Sequence, residues 1–414
     1  MNILQQLMAR PVDVGLDADR LSAIPNFFGS YVDRGKLAGV STLIARDGRI
    51  AHFETVGMRD TARGLPLEQD TIFRIYSMTK PITSLALMML YEEGRFQLNH
   101  EVSRYIPEFK DLRVWDGGTP ESYETKPCAR AMTIRDLLTH TSGLTYDFMY
   151  AHPVDSMYRK AGIGGARTQG LTLKGMVERL AEIPLLFSPG EHWNYSVSTD
   201  VCGYLIEVLS GQSLDQFLAS RIFVPLGMDD TGFSVPVEKA HRLATNYEKD
   251  PKTREVRVCD MGDETSSYVQ PNSFLSGGGG LVSTQMDYFR FCQMVLNGGE
   301  LDGTRLVSRK TLDLMTINNL PDGKTMKDMD NSAFSETGVD GQGFGLGFSV
   351  LLDQAAAQTT GSPGIYSWGG AASTYFWIDP AENLIAILMT QLMPSRAYPL
   401  RPQFQQLVYG AISD

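Results

Sequence analysis

The chain has 414 residues, 43% hydrophobic and 21% charged, an ordinary globular composition with room for one large or two smaller cores. Its net charge of −11 argues against nucleic acid or an anionic membrane surface as the main partner. No run approaches the roughly 18 apolar residues that span a bilayer, and Met1 to Arg10 is short and broken by Pro11-Val12-Asp13, so neither an anchor nor a leader is expected.

In chain order, an amphipathic helix begins at Leu16 and runs to about Arg34. Gly39 to Ala45 is strand-like, Asp47-Gly48 is a hairpin turn, and Ile50 to Val56 returns as a second strand. Phe73-Arg74-Ile75-Tyr76-Ser77-Met78-Thr79-Lys80-Pro81 then opens into the most apolar helix of the chain. Residues 112–130 are polar and rich in Gly and Pro, and read as a surface loop. Thr133 caps a helix with Asp136 in its first turn, Val201 to Ser210 is a helix ending on Gly211, and Met286 to Leu296 is another, capped by Ser283-Thr284. Residues 320–342 read as a second surface excursion. Four short β runs follow, Gly347 to Leu352, Ile365 to Trp368, Ser373 to Ile378 and Leu384 to Met389, before a closing helix from about Pro402 to Ile412.

Strand-rich ends around a helical middle imply an α+β fold in which both ends pair in one antiparallel sheet. The expected division is 1–76 with 340–414 as the sheet domain, and 77–339 as a mainly helical region with loops. Cys128, Cys202, Cys259 and Cys292 are irregularly spaced with no C-x-x-C, which reads as reduced and structural, in a cytoplasmic protein.

Ser77 lies three residues before Lys80, a spacing that puts both on one helix face. A serine hydroxyl needs a base within hydrogen-bond reach, and lysine serves only if its pKa is lowered. Burial beside Ile82 to Leu90 and the positive end of the helix both disfavour the ammonium, and the same helix end favours an oxyanion at Ser77. Pro81 fits only near a first helical turn, which places the helix start close to Ser77. Tyr195, in Ser188-Pro189-Gly190-Glu191-His192-Trp193-Asn194-Tyr195-Ser196, can shuttle a proton between such a nucleophile and a leaving group. Ser367-Trp368-Gly369-Gly370-Ala371-Ala372 ends a strand; its glycines let backbone approach a ligand, and the Ala371 N–H can complete an oxyanion hole with the Ser77 N–H. Alone, each has a plainer reading: a capping serine with a snorkelling lysine, a core tyrosine, a β-bulge.

Together, Ser-x-x-Lys, Tyr-Ser and Trp-Gly-Gly resemble, in order and spacing, the serine β-lactamase and penicillin-binding-protein fold. The resemblance is closest to the family VIII carboxylesterases, esterases that look like class C β-lactamases, and runs from about Gly15 to the C-terminus. Leu137-Leu138-Thr139-His140-Thr141-Ser142-Gly143-Leu144, Pro225-Leu226-Gly227-Met228, Gly277 to Thr284 and Phe344-Gly345-Leu346-Gly347 also carry it. It implies a β-lactamase/transpeptidase-like fold with Ser77 as acyl-accepting nucleophile and Lys80 and Tyr195 as its base and proton relay. Trp368-Gly369-Gly370 takes the place of the lactamases' Lys-Thr-Gly strand, and Val197 stands where they have Asn. Both changes remove polar recognition of a β-lactam, which favours neutral short- to medium-chain esters.

The aromatic cluster of Tyr146, Phe148, Met149 and Tyr150 is expected to contribute Phe148 and Tyr150 to the acyl pocket. The chain has no Gly-x-Ser-x-Gly, and His52, His100, His152, His192 and His241 lack metal-ligand spacing, so no cofactor or catalytic metal is expected. His140 reads as a structural residue stabilising a helix end, and Gly277 to Gly280 as close backbone packing rather than a phosphate loop. The expected partner is a small-molecule ester. The rival functions are acyl transfer to an alcohol, as in the similar fungal statin-side-chain transesterases, weak β-lactamase or D-amino-peptidase activity, and a non-enzymatic binding role.

Overall fold

The computed structural model describes residues 3–331 and 334–414. An eight-stranded antiparallel sheet runs in the order Gln342–Phe344, Ser349–Leu351, Tyr366–Gly369, Tyr375–Asp379, Leu384–Met389, Gly39–Arg46, Arg49–Asp60 and Leu65–Pro66. Gly39–Arg46 pairs with Leu384–Met389, so the two ends of the chain share one sheet. Asp47 and Gly48 both take positive φ, 55° and 72°, as the two-residue turn between the first long strands requires.

Period two along each strand decides which layer a side chain enters. Ile385, Ile387 and Met389 face the large core beneath the helices of the chain's middle, whereas Leu384, Ala386 and Leu388 face a smaller one. The smaller core is closed by the helices Ala18–Asp33 and Leu400–Tyr409 through Leu21, Ile24, Phe28, Phe404 and Val408. The large core is built around the helix Thr79–Glu92, buried continuously from Thr79 to Leu90, and the helix Ser198–Ser210. Pro81 is its third residue, where a missing N–H leaves no intrahelical bond unmade.

Two segments read as surface loops are structured. Residues 113–127 form a hairpin, Arg113–Thr119 against Ser122–Pro127, with Trp115 stacked on Tyr123 at 5.3 Å. Because nearly every side chain of this hairpin is at least partly exposed, it has no alternation of polar and apolar residues, the usual strand signal. Residues 320–342 include the helix Met326–Met329, capped reciprocally by Thr325 and Asp328, and a tie from the Trp193 N–H to the Met329 carbonyl at 2.7 Å. Phe334 and Glu336, from the same stretch, line the cleft described below. The four cysteines are free, and among the described residues no helix is long and apolar enough to cross a membrane.

Candidate active site

Ser77 sits in a 3₁₀ turn, Tyr76–Met78, that leads directly into the Thr79–Glu92 helix. Tyr76 takes a φ of 44°, a conformation costly for a residue with a side chain, and its hydroxyl accepts a bond from Asn246 Nδ2 at 2.8 Å. This turn leaves Ser77 half-buried at the floor of a cleft of about 630 Å³. The Lys80 Nζ lies 3.2 Å from Ser77 Oγ and donates to the Gly278 carbonyl at 2.6 Å. The Tyr195 hydroxyl lies 2.6 Å from the same Ser77 Oγ. Two groups, one three residues away and the other 118, therefore converge on one oxygen.

Their electrostatics divide the work. Burial lowers the Lys80 pKa to about 8, against the opposing pull of the Asp200 and Glu336 carboxylates. With its pKa near 8, Lys80 is a free amine in about a tenth of the molecules at pH 7 and in about half at pH 8, and the Gly278 carbonyl takes up one of its N–H groups beside Ser77. Burial pushes the Tyr195 phenol well above its ordinary pKa, helped by Glu336, so it stays protonated and can hand on a proton but not hold a phenolate at rest.

Packing fixes the tyrosine. Its ring contacts those of Tyr146 at 5.1 Å, His140 at 5.2 Å and Trp368 at 5.4 Å. The preceding Asn194 is anchored by its N–H to the His140 carbonyl and by Nδ2 to the Leu144 carbonyl, both at 2.9 Å. His140 is fully enclosed, with burial holding its pKa well below the ordinary value. A neutral imidazole cannot stabilise a helix end by charge, so the electrostatic role expected for it gives way to packing against Tyr195.

The cleft is lined by Val197, Phe148, Tyr146, Met149, Met176, Phe274, Phe334 and Met393, and Ala371 and Ser77 belong to the same lining. Tyr150 is not among them: it is 75% exposed, under the Arg159 guanidinium at 4.2 Å, because a left-handed φ of 51° turns it away from the segment that carries Phe148. Trp368 is 0% exposed and lies behind Tyr195, so it shapes the site from beneath instead of meeting substrate. Gly369 and Gly370 make room for the protein itself: a Cβ on Gly370 would fall 2.4 Å from the Ile75 carbonyl, two residues before Ser77.

Asp200 has no motif of its own, and Gly278 lies within the glycine run 277–280. The Asp200 carboxylate accepts from Ser276 Oγ at 2.5 Å and from the Gly278 N–H at 3.0 Å, bracing the loop whose carbonyl holds Lys80. A Cβ on Gly278 would come within 2.6 Å of Asp200, so the glycine run that reads as close packing also builds the lysine's seat. Among the described residues, the cleft wall carries two carboxyl side chains, Asp200 and Glu336, and no lysine or arginine.

A sequence model of the family described as Beta-lactamase matches residues 19–409. Protein Rv1367c of Mycobacterium tuberculosis is 36% identical, covering 87% of this chain and 88% of its own. Esterase EstB of Burkholderia gladioli is 33% identical over 92% of this chain and 93% of its own. Among solved structures, EstCE1, described as a hydrolase with promiscuous acyltransferase activity, superposes with a TM-score of 0.78 at 26% identity, covering 95% of this chain and 98% of its own.

Proposed function

The chain belongs to the beta-lactamase family, and we propose that within it the protein is a serine carboxylesterase hydrolysing short- to medium-chain esters through an acyl-enzyme on Ser77. The observation that carries this reading is the convergence of Lys80 Nζ and the Tyr195 hydroxyl on Ser77 Oγ. The neutral Lys80 takes the Ser77 proton as Oγ adds to the ester carbonyl. The resulting oxyanion sits between the N–H groups of Ser77 and Ala371. As the tetrahedral species collapses, the departing alkoxide takes the Tyr195 proton, and Lys80 resupplies the phenol. Water then enters, loses its proton by the same route, and releases the acid and free Ser77.

The lining argues for neutral substrates. An anionic β-lactam would find Asp200 and Glu336 in the wall, and the cations beside them, Lys80 and Arg401, already engaged by the Gly278 carbonyl and by Glu336. The apolar walls suit acyl chains. Replacing Phe148 with alanine is expected to raise kcat/KM for an octanoyl relative to a butyryl nitrophenyl ester by about tenfold, the low end of the effect of one methylene's worth of pocket. Tyr150→Ala, outside the cleft, should leave the chain-length profile unchanged. An unshifted profile in Phe148→Ala would remove Phe148 from the acyl pocket.

Hydrolysis and acyl transfer share the acyl-enzyme and differ in what attacks it. Incubation with a nitrophenyl butyrate and an added small alcohol, with products resolved by chromatography, should give mainly butyric acid. A product dominated by the new ester would assign transfer to the alcohol instead.

A further inference from the structure

Arg401 stands in the first turn of the Leu400–Tyr409 helix, where the helix dipole gives no reason for a cation. Its side chain is only 12% exposed and is held by the Glu336 carboxylate at 2.8 Å, itself 2% exposed. The same guanidinium nitrogen, Nη2, donates to the Gly370 carbonyl at 2.8 Å and to the Thr374 carbonyl at 3.0 Å. These carbonyls mark the two ends of the turn that follows the Tyr366–Gly369 strand and carries Ala371, a turn closed by the Gly370 N–H on the Thr374 carbonyl at 3.0 Å.

The Gly370 carbonyl and the Ala371 N–H belong to one peptide unit. That unit is planar and trans, so its C=O and N–H point in opposite directions. A donor fixed on the carbonyl therefore aims the N–H, and a charge-assisted bond to the carbonyl also polarises the N–H. Space tells the same story. A Cβ on Gly369 would fall 2.4 Å from the Arg401 guanidinium carbon, and one on Gly370 would strike the backbone leading to Ser77. The two glycines are thus matched to Arg401 on one side and to the nucleophile's turn on the other.

We propose that Arg401, anchored by Glu336, is a positioning residue that sets the Gly370–Ala371 peptide so that the Ala371 N–H faces the oxyanion formed at Ser77. This rests on the acyl-enzyme reading given above. Arg401 touches neither substrate nor the reacting atoms; it acts through the peptide unit it holds.

The test is steady-state kinetics on a nitrophenyl ester together with the rate of Ser77 labelling by a fluorophosphonate. Arg401→Gln is expected to lower kcat by about 100-fold, the scale of losing one oxyanion donor, with KM within about threefold of wild type. Arg401→Lys, which keeps the charge but not the fork, should fall between the two. Gly369→Ala leaves Arg401 intact but puts a methyl in the guanidinium's place, so it should show the same loss in kcat. The double variant should be no more than about threefold worse than the poorer single one, since both act on one peptide. Labelling should slow in step with kcat, and thermal melting shows which variants are folded. If Arg401→Gln fails to fold, Gly369→Ala carries the test. Folded variants whose kcat stays within threefold of wild type, or whose losses lie in KM alone, would overturn the proposal. Failure of the acyl-enzyme reading is distinct from this, because it would show in the wild type as ester turnover without labelling at Ser77.

Discussion

Ser77→Ala is expected to abolish ester turnover, lowering kcat by about 10⁴- to 10⁶-fold, the scale on which removing a serine nucleophile acts elsewhere. The fold should survive the change. The Ser77 hydroxyl contributes its contacts to Lys80 and Tyr195, but Lys80 keeps the Gly278 carbonyl and the Tyr195 ring keeps its packing against Tyr146, His140 and Trp368. The melting temperature should therefore move by only about a degree, roughly the effect of 1 kcal/mol on a chain of this size. Turnover within tenfold of wild type would place the nucleophile elsewhere.

The second large effect concerns Lys80. If the free amine is the base, kcat/KM of the wild type should rise with pH and level off above about 8, where burial places this group. Lys80→Met should lower kcat/KM by about 10²- to 10⁴-fold and remove that rise. Stability should respond in the same window. The unfolded chain, with an ordinary lysine pKa of 10.5, binds the proton more tightly than the folded one. Folding stability is therefore penalised below about 8 and recovers as pH climbs from 8 to 10.5, by about 3 kcal/mol. The wild type should gain this over Lys80→Met across that interval in denaturant titrations. A flat difference between the two proteins would mean that the buried lysine is not held near neutrality.

This arrangement also shows why the lysine tolerates its site. The nearby Asp200 and Glu336 carboxylates favour the ammonium and keep the shift moderate, while the faces of Tyr195 and Tyr146, 4.6 and 5.3 Å from Nζ, give it a cation–π surface in the protonated state. A lysine buried without them would be neutral at rest but poor at returning the proton. Both directions of transfer matter in a two-step acyl reaction.

Much of the fold can be read along the chain because its signals are local. The Asp47-Gly48 turn, the Thr133 and Thr284 caps and the Gly211 stop each state their geometry within four residues. Ser77 and Lys80 share one helix start, so their meeting is also a local matter. Asp200, Gly278, Glu336 and Arg401 are different. Lys80 and Gly278 are 198 residues apart and Arg401 and Glu336 are 65 apart, and nothing in the residue types of either pair announces its partner. Trp368 shows the limit from the other side: its strand is legible, but which face of the sheet meets substrate is decided by tertiary packing. Tyr150 stands outside the cleft for a backbone reason, since it takes the left-handed conformation that closes the Asp147–Met149 turn, which its residue type does not announce.

A covalent intermediate on Ser77 is the feature on which every step of the proposed reaction depends. The wild type, incubated with a fluorophosphonate and read by intact mass and peptide mapping, should gain one adduct per chain, with the serine oxygen replacing fluoride on phosphorus, located on the peptide that holds Ser77 and absent from Ser77→Ala. An adduct that persists in Ser77→Ala, or a wild type that turns over esters without forming one, would contradict it.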